Sequence, residues 1–405
     1  MGNDVEIGRV TADQFADFRR VFNQTFGFSA SEEELARIRP WTEVERAVVA
    51  RAGDQIVGTS GAYSFDLALP WADPVGCAGI TVVSVRTDHR RRGVLTRMMR
   101  QLFEDAYERG EPYAALWASE APIYGRFGFG PAAPTIELEV PRSHGRLRRP
   151  VAVDEVRLVD RAAADAAIPA LYEAFRRQRH GMLGLPAAWW ERILGDESSD
   201  RDGASEKFYA LIPDRGFAIY RLKSDWSSGH PAGTVQLQEL IGLDPEATAM
   251  LWQFLLDIDL SGRVRAHRRP VDDPLPLLLA DEGRADVKTG WPLQVCLLDL
   301  PVALAARGYG VDDTITLRVH DAFQPHNDGT WRLAVSDGKA VCEPAGTDAA
   351  DVEFDAEVLA ALVLGGHRAS RYAAAGRLQA HTPGAVARTD RLFATDVAPW
   401  HGVMF

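Results

Sequence analysis

The feature that most restricts the fold of this chain is an apolar run that leads, through three arginines and a glycine, into an amphipathic segment. The pattern predicts a short strand over 79–85, a helix over 93–109 and another strand over 113–119. Two strands joined by a helix in this way favour a parallel pair with a crossover helix. The first part of the chain is therefore predicted to be an α/β domain.

The turn before this helix is a candidate phosphate site. The first-turn N–H groups of a helix have no partner inside the helix, and the positive end of the helix dipole attracts anions. Gly93 would let the backbone approach a phosphate closely. Positive charge is added by the preceding Arg90, Arg91 and Arg92. A solvated basic turn that only caps the helix would have the same sequence, so both interpretations stay open at this point.

A tyrosine follows the second strand. That strand ends in Ser119 and Glu120, and residues 123–130 are Ile-Tyr-Gly-Arg-Phe-Gly-Phe-Gly. A residue just beyond a strand end, beside the helix-opening turn of a parallel neighbour, faces the crevice in which open α/β sheets bind ligands. Tyr124 is thus a candidate site residue, and packing in the core is the alternative.

Length and charge restrict the class of protein. A chain of 405 residues exceeds one ordinary core and predicts two or three domains. The formal net charge of −12 argues against nucleic acid as the main partner, because phosphate binding needs a basic face. A negative surface would attract a cationic substrate, although a solvated acidic surface explains the same charge.

Cysteines and apolar runs restrict the compartment. Cys77, Cys296 and Cys342 are far apart and odd in number, so we expect small buried apolar residues rather than disulfides or a metal site. No basic segment followed by an apolar run marks a secretory signal. The apolar stretches 275–280 and 358–365 are far shorter than the ~20 residues that span a bilayer. We therefore expect a cytoplasmic protein without a membrane span and without a metal.

The rest of the first part and its end are predicted from local patterns. Apolar spacing predicts an aromatic-faced helix over 12–26 and paired strands over 44–51 and 55–65. The run 142–150 is polar and basic and ends in proline, which predicts a linker.

The second part, 151–295, repeats the rough element order of the first. The pattern predicts a helix over 165–179, a hairpin of 208–211 with 217–222, a strand over 234–241 and a helix over 247–256 with proline in its first turn. This part contains no arginine–glycine turn. An internal duplication that has lost its cofactor site is therefore predicted.

The third part, 296–405, shows no residue cluster that suggests catalysis. Its last eight residues are too apolar for a free tail, and we predict that they are docked. The predicted elements are strands at 314–320 and 352–354, a hairpin around 327–330, and helices at 356–364 and 369–375.

The motifs of the first part together resemble a known superfamily. The strand, the Arg-Arg-x-Gly turn and the later Ser-Glu and Ile-Tyr-Gly-Arg-Phe-Gly-Phe-Gly sequences are similar to those of GNAT N-acetyltransferases. Within that superfamily the chain resembles the Eis (enhanced intracellular survival) family of bacterial aminoglycoside acetyltransferases. The likeness includes the ending Pro-Trp-His-Gly-Val-Met-Phe at 399–405.

This resemblance implies a fold of the α/β (α+β) class over the whole chain. Residues 1–145 would form a GNAT acetyltransferase domain and 151–295 a second GNAT-like domain without the cofactor motif. Residues 296–405 would form a sterol-carrier-like α+β domain whose tail enters the active site. The resemblance also implies acetyl-coenzyme A as co-substrate, a small-molecule amine as acceptor, and a homohexamer.

The resemblance further implies how the cofactor is held. The backbone of Val83, Ser84 and Val85 would pair with the pantetheine arm. Ser119 and Glu120 would line the thioester end. The pyrophosphate would be held by Arg91, Arg92, Gly93, Val94, Leu95 and Thr96, with Arg90 at its edge.

Two groups are implied for proton transfer. Tyr124 would be the general acid, since a phenol with a pKa of ~10 can donate to the leaving thiolate. The α-carboxylate of Phe405 would be the general base. With a pKa of ~3.5 it is a weak base in water, so it would need desolvation or a bridging water.

The acceptor pocket is predicted along the first helix and the loop after it. Asn23 stands where an acidic residue would best hold a polyamine. His401 is predicted to be a surface residue, a pocket wall or a packing partner of Trp400. The candidate lining residues, which could instead belong to the core, are Phe22, Asn23, Phe26, Trp41 and Phe65.

The predicted function is transfer of acetyl groups from acetyl-coenzyme A to amines of aminoglycosides or related polyamines, including lysine side chains. Two alternatives stay open. The third domain could carry a lipid or another apolar ligand, with the GNAT parts as scaffold. The acceptor could also be a lysine of a protein rather than a drug.

Overall fold

The computed structural model describes residues 5–29, 31–227 and 229–405. The strands are β1 (Val5–Arg9), β2 (Val48–Ala52), β3 (Gln55–Leu67), β4 (Val75–Val85), β5 (Tyr113–Trp117), β6 (Gly130–Ala133), β7 (Thr135–Pro141), β8 (Arg157–Val159), β9 (Phe208–Ile212), β10 (Gly216–Lys223), β11 (Gly233–Gly242), β12 (Ser261–Pro270), β13 (Asp286–Thr289), β14 (Leu293–Leu297), β15 (Asp313–His320), β16 (Gly329–Ser336), β17 (Lys339–Pro344), β18 (Val352–Asp355) and β19 (Leu378–Ala380). The α-helices are α1 (Phe15–Thr25), α2 (Glu32–Ile38), α3 (Val94–Glu108), α4 (Arg161–Arg176), α5 (Ala187–Leu194), α6 (Pro245–Leu256), α7 (Leu275–Leu278), α8 (Leu300–Ala306), α9 (Ala356–Leu362), α10 (Ala369–Ala374) and α11 (Ala385–Phe393).

The chain divides into two compact units. The first consists of Met1–Ala132, Leu293–Thr395 and Met404–Phe405, and the second of Ala133–Pro292 and Asp396–Val403. Each unit is built on its own seven-stranded sheet, and the first unit also contains a five-stranded sheet.

The sheet of the first unit has the order β1-β2-β3-β4-β5-β14-β6. Neighbours from β1 to β4 are antiparallel, whereas β4 and β5 are parallel and joined by α3. The apolar face of α3 is buried in the core on this sheet, with Met98, Met99 and Leu102 at 0 to 1% exposure. The predicted parallel pair with a crossover helix is confirmed.

The sheet of the second unit repeats this plan. Its order is β8-β9-β10-β11-β12-β7-β13, and its parallel pair is β11 with β12, joined by α6. Asp244 caps α6 and Pro245 occupies its first turn, as the sequence predicted. The same order of antiparallel strands, crossover and parallel partner confirms the predicted duplication.

Each seven-stranded sheet contains one strand from a distant part of the chain. In the first sheet β14 lies between β5 and β6, and in the second β7 lies between β12 and β13. Sheet membership therefore changes between Ala133 and Thr135 and again at Leu293. The domain boundaries 1–145, 151–295 and 296–405, which were inferred from the sequence, therefore stay predictions.

The run 142–150 is not the solvated linker that its composition predicted. Leu147 is 1% exposed and belongs to the core of the second unit. The N–H of Arg148 donates to the Leu278 carbonyl at 2.8 Å. The prediction was wrong because the charged residues of this run surround one leucine that the core buries.

The five-stranded sheet of the first unit has the order β17-β16-β15-β18-β19. Its strands β15 and β18 are parallel, and the remaining neighbours are antiparallel. The strands and helices predicted at 314–320, 352–354, 356–364 and 369–375 correspond to β15, β18, α9 and α10. Within the described ranges no helix is both long and apolar enough to cross a membrane.

One predicted strand of the first part begins later than expected. Val44–Arg46 is a short 3₁₀ turn, and β2 starts only at Val48. The Arg46 side chain is buried and donates from both terminal nitrogens to the Glu111 carboxylate at 2.7 and 2.6 Å. A buried ion pair of this kind fixes the backbone before the strand, which apolar periodicity does not indicate.

Candidate active site

The first sheet opens where β4 and β5 diverge. The two strands pair only from Cys77 to Gly79 on β4. Beyond Gly79, no strand among the described residues pairs with this side of β4. On its other side, β4 stays paired with β3 up to Val85. Residues 80–85 therefore present backbone N–H and C=O groups to the gap, where an extended ligand can pair with them.

A β-bulge shapes this edge of β4. Val82 has a φ of 52°, which is rare for a β-branched residue, and the register with β3 shifts between Thr59 and Gly61. The Thr59 hydroxyl donates to the Val82 carbonyl at 2.8 Å and lies 2.7 Å from the Ser84 hydroxyl. These bonds hold the bulge at the point where the sheet opens.

The start of α3 has the features of an open anion site. Gly93 is the N-cap with a φ of 74°, a conformation that glycine adopts easily, and no side chain caps the helix. The first intrahelical bond runs from Arg97 N to Gly93 O at 3.1 Å, so the N–H groups of the first turn are free of helical partners. The first turn carries no acidic residue, so its partial positive charge is not neutralised.

The three arginines before Gly93 occupy different positions. All are exposed, but Arg90 and Arg91 line the cavity at this helix start, and Arg92 is not among its described lining residues. Arg91 has a φ of 62°, a left-handed conformation that costs a non-glycine residue about 1–2 kcal/mol. A backbone held in this state beside a cavity is typical of a functional turn.

A cavity of about 950 Å³ lies at the start of α3 and along the edge of β4. This volume is at the upper end for small-molecule sites. Sequence reasoning missed Thr25, His89, Ile123 and Arg126, which line the cavity and, apart from Thr25, lie within two positions of predicted cofactor or catalytic residues. The predicted residues that line it are Val83, Ser84, Val85, Arg90, Arg91, Gly93, Val94, Leu95, Thr96, Ser119, Glu120, Tyr124 and Phe26.

Tyr124 lines this cavity from the short turn that follows β5. It is 6% exposed, and its ring meets the Phe129 ring edge-on at a centroid distance of 6.0 Å. Burial raises the pKa of Tyr124 to about 12, and the negative charge of Glu120 acts in the same direction. The phenol is therefore protonated throughout the physiological pH range.

The loop that carries Tyr124 is packed against α9 of the same unit. A Cβ atom at Gly125 would lie 2.5 Å from Glu357 Oε2, and one at Gly130 would lie 2.1 Å from the Glu357 carbonyl oxygen. The Phe127 ring lies 4.8 Å from the Phe323 ring. The glycines of the 123–130 sequence thus permit a close approach that fixes the loop.

Phe405 lies where the first sheet opens. Its ring is 5.1 Å from the Phe65 ring, edge-on. A Cβ atom at Gly79 would lie 2.4 Å from Phe65 and 3.3 Å from Phe405, so both rings cover this glycine. Gly79 is the last residue of β4 that pairs with β5.

The acceptor residues predicted from the sequence are placed differently from one another. Phe26 is 41% exposed and lines the cavity. Trp41 and Phe65 are core residues at 8% and 3% exposure, and Asn23 is 6% exposed. These three and Phe22 are absent from the described lining of the cavity, and their part in an acceptor pocket stays a prediction. Among the described residues no group of three or more His, Cys, Asp or Glu side chains could hold a metal.

The tail is docked, as predicted. Residues Asp396–Val403 belong to the second unit, where Trp400 is 1% and His401 0% exposed. The expectation of a surface His401 was wrong, because its Nδ1 accepts from the Leu183 N–H at 3.4 Å in the core. Burial, with a smaller contribution from the Arg268 charge, lowers the pKa of His401 to about 3, so the imidazole is neutral at physiological pH.

Three family models match the chain. Acetyltransferase (GNAT) domain models match residues 6–132 and 181–295, and a sterol carrier protein domain model matches residues 300–402. These matches confirm the predicted order of two GNAT-like domains followed by a sterol-carrier-like domain.

Relatives match nearly the whole length. An uncharacterized N-acetyltransferase of Streptomyces avermitilis is 40% identical over 387 residues, covering 93% of this chain and 94% of the relative. N-acetyltransferase Eis of Mycobacterium tuberculosis is 35% identical over 383 residues, covering 90% of both chains. The crystal structure of Eis1 from Mycobacterium abscessus superposes with a TM-score of 0.88 at 30% identity, over 99% of this chain and 100% of that one. The chain belongs to the Eis family of N-acetyltransferases, within the GNAT superfamily.

Proposed function

We propose that this chain transfers the acetyl group of acetyl-coenzyme A to amines of aminoglycosides or related polyamines, including lysine side chains. The observation that carries the proposal is the joint presence, on one cavity, of the open start of α3, the free edge of β4 and Tyr124. A carrier of apolar ligands needs none of these three features.

The cofactor site is proposed from groups that match a diphosphate and an amide-containing arm. The free N–H groups after Gly93, with Arg90 and Arg91, offer charge-assisted hydrogen bonds to a pyrophosphate. Arg92 is exposed beside them and adds charge at longer range. Val83, Ser84 and Val85 lie on β4 beyond its pairing with β5 and line the cavity, and their backbone is proposed to pair with the pantetheine amides as an added strand.

The reaction needs two proton transfers. The acceptor nitrogen attacks the thioester carbon, the carbon–sulfur bond breaks, and coenzyme A leaves as a thiolate. Tyr124 is proposed to give its phenol proton to this thiolate. The burial that raises the pKa of Tyr124 also destabilises a thiolate formed in the same cavity, so the two basicities rise together.

The proton of the attacking amine is proposed to go to the α-carboxylate of Phe405. The carboxylate belongs to Phe405, whose ring covers Gly79 at the point where the sheet opens. The Phe65 ring packs edge-on against the Phe405 ring at 5.1 Å, and apolar surroundings of this kind are proposed to raise the basicity of the carboxylate. Ser119 and Glu120, which line the cavity, are proposed to lie at the thioester end.

The acceptor is proposed to enter past Thr25 and Phe26, which bring the end of α1 to the cavity. The formal net charge of −12 favours the approach of a polyamine. The resemblance to the Eis family implies aminoglycoside acceptors and a homohexamer, and light scattering tests the latter.

The experiment is a thiol-release assay with acetyl-coenzyme A across aminoglycosides, polyamines and lysine peptides. Turnover of at least one amine class is expected. Bound lipid without any coenzyme-A binding in calorimetry would instead support the carrier function. Comparison of kcat/KM between the acceptors then shows whether aminoglycosides or lysine side chains of proteins are the preferred substrates.

Two variants test the proton transfers with the best acceptor of that panel. Tyr124→Phe is expected to lower kcat about 100-fold or more, with little change in coenzyme-A affinity. The exposed Tyr107 of α3 gives the matched control Tyr107→Phe, which should keep wild-type turnover. Full turnover by Tyr124→Phe, or by a chain extended beyond Phe405, contradicts the assigned roles.

A further inference from the structure

The loop that carries Tyr124, residues 123–130, is closed by its own backbone. The Tyr124 carbonyl accepts from the N–H of Phe127 at 3.0 Å and from the N–H of Phe129 at 3.3 Å. Within the same loop, the N–H of Gly128 donates to the carbonyl of the residue after the tyrosine at 2.9 Å. The loop is therefore one compact turn, and a displacement of any part of it would move the tyrosine as well.

The sterol-carrier-like part of the first unit, residues 300–395, meets this loop through its helix α9. A Cβ atom at Gly125 would lie 2.5 Å from Glu357 Oε2, and one at Gly130 would lie 2.1 Å from the Glu357 carbonyl oxygen. The residue directly after the tyrosine is thus in contact with the Glu357 carboxylate. The guanidinium of Arg377 donates to the other oxygen of that carboxylate, which fixes its position.

A second support reaches the loop through a buried chain of hydrogen bonds. The Cys296 thiol donates to the Phe127 carbonyl at 3.3 Å. Burial raises the pKa of this thiol, so it stays protonated and can donate at physiological pH. The side-chain amide of Gln324 donates to Cys296 Sγ at 3.5 Å and to the Leu297 carbonyl at 3.0 Å. The backbone N–H of Gln324 donates to Asp321 Oδ1 at 2.8 Å, so the chain of bonds ends in the sterol-carrier-like part.

An aromatic side chain of the sterol-carrier-like part connects the loop to α3. The Phe323 ring lies 4.8 Å from the Phe127 ring and 5.4 Å from the Phe103 ring of α3, edge-on in both cases. The Phe129 ring, which meets the Tyr124 ring, also lies 5.8 Å from Phe103. The separation between the tyrosine and the helix whose start is the candidate phosphate site therefore depends on Phe323.

The loop borders two cavities. Tyr124 lines the cavity of about 950 Å³, Gly125 lines a second cavity of about 240 Å³, and Arg126 lines both. Glu357 also lines the second cavity. No residue of 300–395 is among the described lining of the first cavity, so the sterol-carrier-like part acts on that site indirectly. The space in the second cavity leaves room for the loop to move if the Glu357 side chain is removed.

We propose that the sterol-carrier-like part of the first unit positions the general acid, with Glu357 as the positioning residue for Tyr124. The inference rests on the proposed role of Tyr124 as general acid. It gives this part of the chain a function in acetyl transfer that requires no apolar ligand. A displacement of a catalytic group by about 1 Å can cost about 100-fold in rate, so the support of the loop decides how well the phenol meets the leaving sulfur.

The test compares variants of the full chain in the acetyl-transfer assay. Glu357→Ala removes the contact with Gly125 and is expected to lower kcat about 10- to 100-fold. Glu357→Gln keeps the shape of the side chain and an oxygen for Arg377, and should retain kcat within about threefold of the wild type. The dissociation constant of coenzyme A in calorimetry should change less than about threefold in both, because Glu357 is absent from the described lining of the larger cavity.

A double-mutant cycle separates positioning from general damage. The variant Tyr124→Phe has no phenol, so a residue that acts only by placing the phenol has nothing left to place. Glu357→Ala is therefore expected to lower the kcat of Tyr124→Phe by less than about twofold. A merely structural defect would lower kcat by the same factor in both backgrounds.

A second variant displaces the loop instead of releasing it. Gly130→Ala places a methyl group against the Glu357 carbonyl and is expected to lower kcat about as much as Glu357→Ala, with the same loss of effect in the Tyr124→Phe background. If Gly130→Ala does not fold, the comparison of Glu357→Ala with Glu357→Gln decides.

Two matched controls should keep wild-type kcat. Gly8→Ala adds the same methyl group where nothing lies within 4 Å. Glu343→Ala removes an exposed carboxylate from β17 of the five-stranded sheet.

The outcomes distinguish the positioning role from the proposed function. Full turnover by Tyr124→Phe refutes the general-acid role, and the positioning role with it. Loss of turnover in Tyr124→Phe, together with wild-type kcat in Glu357→Ala, overturns the positioning role alone. Equal factors in the two backgrounds of the cycle, or a loss of coenzyme-A affinity that accounts for the lower turnover, also overturn it.

Discussion

The two crossover helices of this chain start in opposite ways on the same strand plan. The start of α3 is capped by Gly93 without any side-chain bond. The start of α6 is capped by Asp244, whose carboxylate accepts from the Ala247 N–H at 2.8 Å and from Arg215 at 2.9 and 3.0 Å. The second helix thus carries its own anion and counter-ion, while the first leaves the equivalent site to a ligand.

The gaps beside the parallel strands show the same contrast. In the first sheet the edge of β4 beyond Gly79 borders the 950 Å³ cavity. In the second, Arg269 Nη1 donates to the Leu240 carbonyl of β11 at 2.9 Å. The difference shows that a duplicated fold keeps its shape while a few charged side chains leave one crossover open to a cavity and fill the gap beside the other.

The strongest way to break this comparison is to give α3 the cap of α6. Gly93→Asp places a carboxylate among the free N–H groups, and aspartate tolerates a positive φ better than most residues. We expect coenzyme-A affinity in calorimetry to fall about 1000-fold, because charge-assisted bonds to the pyrophosphate are lost and a like charge is added. The fold should be retained.

The control for Gly93→Asp is Gly53→Asp. Gly53 also has a positive φ, 60°, with nothing within 4 Å, and lies in the β2–β3 turn. It should leave coenzyme-A affinity unchanged. Equal affinities of the Gly93 variant and the wild type would show that the start of α3 is not the phosphate site.

The second prediction concerns the closed gap of the second unit. Burial raises the pKa of Glu239 to about 7 from an ordinary 4.5, while the Arg269 and Arg268 charges oppose the rise. The Tyr172 phenol also interacts electrostatically with the Glu239 carboxylate, and its own pKa is raised, chiefly by burial. The folded-state pKa of Glu239 lies above its unfolded value, so the protonated carboxyl contributes to the free energy of unfolding. This contribution is fully present below pH 4.5 and is lost as pH rises through 7. The total decrease in the free energy of unfolding is about 3 kcal/mol.

Calorimetric melting at pH 5 and pH 8 measures this effect. Glu239→Gln should remove most of the decrease between the two pH values, whereas Glu139→Gln, on a partly exposed carboxylate of the same sheet, should leave it in place. The same slope in the wild type and in Glu239→Gln would contradict the assignment.

Sequence reasoning succeeded where structure is local. The Gly93 turn, the α3 helix, and the α6 helix with proline in its first turn each depend on residues within a few positions, and all were predicted. Strands β7 and β14 were missed as members of their sheets, because their partners lie far away in sequence. Local patterns carry no information on such pairs.

The candidate site shows the same limit at the level of side chains. Which arginine lines the cavity depends on the left-handed backbone of Arg91, and nothing in three successive arginines indicates it. Trp41 and Phe65 are buried, and sequence alone does not distinguish a buried aromatic residue of a pocket from one of a core. The burial of His401 depends on a contact with Leu183.

The third prediction sharpens the comparison within the arginine turn. Arg91→Met should weaken coenzyme-A binding about 10-fold and reduce its salt dependence, because Arg91 lines the cavity and its charge acts at short range. Arg92→Met should weaken binding less than threefold, since Arg92 is exposed beside the cavity. Calorimetry at two salt concentrations checks both. Equal losses would mean that the turn acts only through its summed charge.

The last and smallest effect comes from opening the start of α6. Asp244→Ala removes its cap and should lower the free energy of unfolding by about 1 kcal/mol, as should Asp160→Ala, which removes the equivalent cap of α4. Neither change should add a coenzyme-A site, because Pro245 has no N–H to donate, Glu246 adds a negative charge to the first turn, and Arg269 still fills the gap. Calorimetry should therefore give one coenzyme A per chain for both variants. A second bound equivalent in Asp244→Ala alone would show that the duplicated unit keeps a phosphate site that only its own carboxylate blocks.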